Sequence, residues 1–231
     1  MLFLVDNTDI QFRKKMNKNI KSNNYIISID PGISGGIAVF EQKTNKIVLF
    51  EKNPTIKNHN NKSTYDLEKF YQIFFKYNDS KIISESVHSM PGEGSTSSFN
   101  FGRSFGQIEG LAYGMKIPYM TVTPQKWKKH FNNELIDEDM LKLKEELKAT
   151  NEKIKIIKTT IKNKKEKTEK IKIETKIKNK IQYNYKKMAK TLSRSCASKR
   201  YAETEQVLKK STYDGVADAI LIGAYYLSLS E

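Results

Sequence analysis

The sequence predicts an α/β domain in which a mixed β-sheet is flanked by helices and interrupted by a lysine-rich helical insertion. Three observations predict it. A β-branched run, Tyr25–Asp30, stops at Asp-Pro-Gly; strand-like and helix-like segments then alternate; and residues 137–192 break that rhythm with a stretch free of Gly and Pro. At 231 residues and 38% hydrophobic content, one core with an insertion fits the chain best.

Residues 1–24 read as an N-terminal extension, and residues 25–136 with 193–231 as the core domain. Tyr25–Asp30 is a buried strand ending in a turn, and residues 35–41 and Lys46–Lys52 complete a three-stranded meander. Residues 64–77 carry apolar positions at Leu67, Phe70, Tyr71, Phe74 and Phe75, the stripe of an amphipathic helix. Residues 81–87 form the next strand. A Gly- and Ser-rich loop over 89–98 leads to a helix over 100–115, a fifth strand over 118–122, and a short helix opened by Pro124. Residues 213–229 form the last, apolar helix, with Ser211 or Thr212 as its cap.

Within 137–192, Met140, Leu143, Leu147, Thr150, Ile154, Ile157 and Ile161 step by three and four, the spacing of a coiled-coil seam. A second stripe runs through Ile177, Ile181, Asn184 and Met188 after the polar stretch 162–170. The spacing predicts an antiparallel helical hairpin with arms of ~33 Å, the competing reading being a disordered, compositionally biased segment.

The net charge of +15 is unevenly placed. Residues 141–190 hold 18 Lys against six Glu, whereas the rest of the chain is nearly balanced, so the case for a polyanionic partner must come from motifs. One cysteine, Cys196, excludes an internal disulfide, and one Cys with three His offers no zinc spacing. That fits a reducing, intracellular compartment. No apolar run approaches the ~20 residues of a membrane span.

The chemistry lies in carboxylates. Asp30 ends the first strand beside a turn, although Asp-Pro-Gly is also an ordinary turn sequence. Glu85 sits in an apolar strand, on the face of Ile83, where an unpaired charge is costly to bury; an edge strand facing water is the alternative. Asp214 and Asp218 lie four apart at the start of the last helix, where like charges repel unless a cation lies between them. Asp214 also suits the helix dipole, and Ser211-x-x-Asp214 loosely mimics a capping box. Four carboxylates from three elements describe an oxygen site for Mg²⁺ or Mn²⁺. Two such ions can activate a water, stabilise a departing 3'-oxygen and screen a phosphate, with Asp30 as the bridging ligand.

These segments, ISIDPGISGGIAVF at 27–40, SESVHSMPGEGSTSSFNFGRSFGQIEGL at 84–111, VTPQKWKKHF at 122–131 and DGVADAILIGAYYL at 214–227, resemble RuvC-type Holliday-junction resolvases of the RNase H-like superfamily, nearest to the phage and large-virus branch and akin to chloroplast resolvases. The resemblance implies an RNase H-like five-stranded mixed sheet. It also implies metal ligation by Asp30, Glu85 and Asp218, paired symmetric nicks in four-way DNA by a homodimer, and no nucleotide cofactor. The bacterial pattern has an acid or histidine three residues before the last aspartate; here Gly215 stands there, and Asp214 is four before. The family's basic residue after the fifth strand falls on Lys128, and a second lysine, ahead of Ser193-Arg194, falls on Lys190. His88 occupies the place of an aromatic that wedges into the junction, a task that Phe99, Phe101 or Phe105 could share. Arg103, Lys126, Lys129 and Arg194 complete the expected DNA contacts, and the lysine-rich hairpin is a phosphate-contacting arm.

Two rivals come from other classes. An actin-like or sugar-kinase-like phosphotransferase would use the Asp30-Pro-Gly32 and Gly35-Gly36 turn for ATP phosphates, although no second Gly-rich phosphate loop follows. A catalytically silent junction-binding relative would keep the grooves without the chemistry.

Overall fold

The structure is a computed structural model that describes residues 24–86 and 94–229. Strands β1 (Tyr25–Asp30), β2 (Gly36–Glu41) and β3 (Lys46–Lys52) form the expected antiparallel meander. A small hairpin of β4 (Thr55–Lys57) and β5 (Ser63–Tyr65) follows, then helix α1 (Leu67–Lys76) and strand β6 (Ser80–Glu85). Helix α2 (Ser95–Gly114) leads to β7 (Tyr119–Val122). The five-stranded sheet has the order β3-β2-β1-β6-β7; β1, β6 and β7 run parallel, and β2 is antiparallel to both its neighbours. This is the RNase H-like mixed sheet expected from the sequence.

Period-two alternation divides the core into two layers. Ile27, Ile29, Ile37, Val39 and Ile82 pack with Phe70 and Phe74 of α1 and Ile108 and Ala112 of α2 on one face. Ile26, Ala38, Phe40, Ile83 and Val122 face the other way. There they meet Trp127 of α3 (Pro124–His130), Leu135 of α4 (Asn132–Leu135) and the apolar run of the last helix.

The α1 stripe differs from the expected one. Thr64 and Tyr65 belong to β5, and the helix starts after Asp66, whose carboxylate accepts the Lys69 N–H. Phe70, Ile73, Phe74 and Tyr77 are buried, whereas Leu67, Tyr71 and Phe75 are exposed. The segment has two neighbouring apolar stripes, and the one continuous with Tyr77, which packs on Tyr25, turns inward.

The insertion is a helical hairpin. Helix α5 (Glu138–Thr160) begins at Asp137, which accepts the Met140 N–H, and helix α6 (Lys164–Arg200) begins at Asn163, which accepts from Lys165 and Glu166. All seven seam positions expected from the heptads, six on α5 and Ile161 at its C-cap, are buried or half-buried. On α6 the seam is displaced: Ile181 and Met188 belong to it, but Ile177 and Asn184 are exposed, and Ile171, Glu174, Lys178, Tyr185 and Leu192 take the facing positions. The aliphatic stems of Glu174 and Lys178 let charged residues stand in a seam while their heads reach water. The 23 residues of α5 match the expected arm length, but the 37 residues of α6 span about 55 Å. That helix runs unbroken through residue 192 into the core, burying Ser193, Cys196 and Ala197.

After α6 come a 3-10 turn, the single-turn helix α7 (Glu205–Leu208), a second 3-10 turn over Ser211–Tyr213, and helix α8 (Asp214–Ser228). Neither Ser211 nor Thr212 caps α8, because both lie in the 3-10 turn, and no side chain caps its N-terminus. No helix among the described residues is long and apolar enough to cross a membrane.

Candidate metal centre

Three carboxylates are brought to one end of one sheet face. Along β1, Asp30 shares the face of Ile26 and Ser28, and along β6, Glu85 shares that of Ile83. Parallel pairing sets Ser28 opposite Ile83 and Ile29 opposite Ser84, so Asp30 and Glu85 end adjacent strands side by side. Helix α8 lies across this same face and supplies Asp218.

Glycines let α8 reach the strand ends. Gly35 and Gly215 form a backbone bridge, and a Cβ on Gly215 would lie 2.4 Å from the Gly35 Cα. A Cβ on Gly36 would lie 2.5 Å from the Val216 Cα. This explains the departure at position 215: no acid fits there, because the helix touches the turn backbone to backbone. The turn is tied down as well. Asn53 Nδ2 donates to the carbonyls of Asp30 at 2.8 Å and Gly32 at 2.9 Å, and the N–H of Gly32, at φ +124°, donates to the Tyr65 hydroxyl at 2.6 Å. The Gly35 N–H donates to the Gly32 carbonyl. Those two turn donors are thus engaged within the protein, which disfavours the expected rival use of this turn as an ATP-phosphate cradle.

Each carboxylate has its own support. Trp127, fully buried, donates its indole N–H to Glu85 Oε1 at 2.9 Å. The Ser193 hydroxyl of α6 hydrogen-bonds to Asp218, whose Oδ1 is nevertheless buried without a hydrogen-bond partner. Asp214 is held at the edge by cations, with Oδ2 3.2 Å from Lys190 Nζ and Oδ1 bound to Arg194.

The electrostatics bind the group together. Burial pushes the Asp30 carboxyl well above the usual range, the charges of Asp218 and Glu85 push it further, and Lys128 and Lys190 oppose them. Glu85 is raised by burial and by Asp218, against the Trp127 hydrogen bond and Lys128. Asp218 is raised by burial and Asp214, against Lys128, Ser193 and Lys190. Three buried acids, with Asp218 raising both Glu85 and Asp30 and Glu85 raising Asp30, two lysines beside them and an orphaned buried oxygen are a donor set suited to a hard divalent cation. Among the described residues no three acidic, His or Cys side chains form a ready-made cation cage; the acids share a field of charge rather than a closed shell.

A cleft of about 520 Å³ opens from Asp218 between α3–α4 and the base of the hairpin, and Lys128, Lys129 and Lys190, three of the expected DNA contacts, are among its lining. Of the other expected DNA contacts, Lys126 is exposed on α3 and Arg194 is committed to Asp214. Phe99 and Arg103 are exposed on α2, while Phe101 packs on Gly32 in the turn after Asp30. His88 lies outside the described residues. Trp127, Ser193, Asn53, Tyr185 and Lys186 were not anticipated as site residues; Trp127, flanked by lysines within PQKWKKH, offered the one readable signal.

No family model matches the sequence, and a search of curated proteins finds no match. Among solved structures, the chain is similar to Thermus thermophilus RuvC in complex with a Holliday-junction substrate, at 11% identity and a TM-score of 0.44, over 89% of this chain and 95% of that one. It is also similar to a second Thermus thermophilus RuvC structure, at 14% identity and a TM-score of 0.33, over 46% of this chain and 67% of that one. At these values the side-chain placement and sheet order, rather than the superpositions, carry the functional reading.

Proposed function

We propose that this protein is a divalent-metal-dependent endonuclease that resolves four-way DNA junctions, a RuvC-type resolvase nearest in its motifs to the phage and large-virus branch. The observation that carries the reading is the convergence of Asp30, Glu85 and Asp218 from β1, β6 and α8 on one sheet face, where Lys128, Lys190, the Trp127 N–H and the Ser193 hydroxyl oppose the cost of their buried charge. These three acids would hold Mg²⁺ or Mn²⁺, with Asp214 as the fourth acid at the edge. Bound there, the ions supply an activated water and stabilise charge on the phosphodiester. Trp127 fixes the Glu85 carboxylate, Ser193 fixes Asp218, and Lys128 and Lys190 draw the phosphate to the acids.

A homodimer is part of the proposal, since a two-fold axis places two equal sites on the equivalent strands of a junction. Helix α2 supports it. Its exposed face carries Gly102, Gly106 and Gly110, each open to solvent, with exposed Phe99 and Tyr113 at its ends. Turned antiparallel about Gly106, a second copy would set Phe99 on Tyr113, Gly102 on Gly110 and Arg103 on Glu109. The face is complementary to itself.

The test is to incubate the chain with synthetic four-way junctions and Mg²⁺ or Mn²⁺ and to map the products. Paired symmetric nicks that vanish in Asp30→Asn, with junction binding kept, are expected. Binding without nicks by the parent chain would leave a silent binder, and neither binding nor nicks would end the proposal.

A further inference from the structure

The lining of the cleft beside Asp218 is mainly apolar, which a site for phosphates alone does not require. Buried Leu135 and Met140 form its floor, at 8% and 3% exposure, and Ala189 continues it along α6. Half-buried Tyr185 stands on the hairpin wall, and exposed Gln125 and Asn132 offer amides from the opposite wall. Lys128, Lys129, Lys186 and Lys190 ring the opening. An apolar floor, an aromatic face, two amides with both donors and acceptors, and a cationic rim are together the chemistry that holds a nucleobase and its phosphate. At about 520 Å³ the cleft falls in the roughly 300–1,000 Å³ range of small-ligand pockets, too small for a duplex.

Resting on the nuclease reading, we infer that this cleft receives one unstacked nucleotide of the strand being cut, its base on the Tyr185–Met140–Leu135 surface and its phosphate among the lysines. The insertion is then a wall of the cutting site as well as an arm. Met140, Tyr185, Lys186 and Lys190 all come from residues 137–192, so the element that contacts DNA at a distance also reads a base beside the acids. A base pulled from its stack is easiest to extract at a branch, where pairing is already interrupted. That links branch selectivity with sequence preference at the nick.

The test uses the full chain with Asp30→Asn to prevent turnover, and junctions carrying 2-aminopurine at each position flanking the mapped nick. One position should brighten on saturation. Adding Tyr185→Ala should lower the occupied fraction at that position roughly tenfold, as expected for loss of a base-stacking platform, while Tyr185→Phe keeps it and junction affinity holds in both. In the active chain, Tyr185→Ala should also flatten the preference among nick sequences without abolishing nicking. Brightening at no position, brightening indifferent to Tyr185→Ala, or loss of all junction binding in Tyr185→Ala would each overturn the subsite. A parent chain that binds no junction sinks both readings, whereas nicking without brightening sinks only this one.

Discussion

Gly35 and Gly215 meet backbone to backbone, joining the turn after Asp30 to the first turn of the helix that carries Asp218. Any side chain at position 215 must push the turn and α8 apart, and the Gly35 backbone cannot yield as a flexible side chain would. Gly215→Ala is therefore expected to cost about 1–3 kcal/mol, the usual range for overpacking, and to lower divalent affinity more than an equally destabilising change elsewhere in α8. Urea unfolding with and without Mg²⁺ measures both effects. Unchanged stability would show that the contact is slack.

Asp30→Asn separates the burden of burying charge from the role of that charge. A carboxyl raised on folding is favoured while protonated, and its stabilising contribution is lost as pH rises from the ordinary carboxyl range, near 4, through the raised value. In the absence of divalent ions, Asp30→Asn should be more stable than the parent at pH 8, with the gap closing on acidification. Mg²⁺ should stabilise the parent more at pH 8 than at pH 5 and leave Asp30→Asn little changed. Thermal melts across pH decide it; a gap that widens toward acid would contradict the placement of Asp30 among like charges.

Trp127→Phe removes the donor to Glu85 Oε1 while keeping most of the packing. Without that N–H the Glu85 carboxyl rises further, so divalent affinity near neutral pH should fall by roughly tenfold, the scale seen for ligand-supporting groups. The deficit should shrink as pH rises. Calorimetric titration with Mn²⁺ checks the sign, and equal affinities would place the Trp127–Glu85 bond outside metal binding.

For α2, solvent exposure and self-pairing make opposite forecasts. A glycine open to solvent in a helix interior gains about 0.5–1 kcal/mol on replacement by alanine. If Gly106 lies on a two-fold contact, Gly106→Leu should instead drive the protein toward monomer in sedimentation. Arg103→Glu and Glu109→Arg should each weaken association, and the double exchange should restore it. Failure of the double exchange to restore association would remove the antiparallel register.

Salt dependence probes the hairpin. Shortening both arms beyond Leu147 and Lys178, which leaves Met140 and Tyr185 in place, removes a dense run of lysines. The slope of log affinity against log salt should fall by about 0.9 for each phosphate that the shortened arm no longer neutralises. Identical slopes would mean that the distal arm does not touch DNA.

Much of this architecture was legible from local pattern. Alternation along β1 and β6 placed Asp30 and Glu85, and the steps of three and four from Met140 to Ile161 placed the α5 seam, because periodicity reports which face turns inward. The α6 seam was harder to read, since Glu174 and Lys178 occupy it by lying along its surface and apolar Ile177 does not. The pairing of the acids with their supports could not be read: Trp127 stood out among lysines, but its bond to Glu85 joins residues 42 apart, and the neighbourhood of Ser193 and Asp218 depends on how α6 and α8 cross. Gly215 looked like a defect in a motif, and only the approach of Gly35 gives it a reason.

The unbroken course of α6 makes the protein a ruler. From Lys165 near the hairpin tip to Lys190 at the acids the spacing is set by one stiff rod, about 38 Å at 1.5 Å per residue, with no joint to absorb error. Whatever meets the tip is thereby held at a fixed reach and a fixed rotation from the carboxylate cluster. One residue added midway would leave the acids intact yet swing the tip by about 100°, aiming the arm away from the strand it should hold.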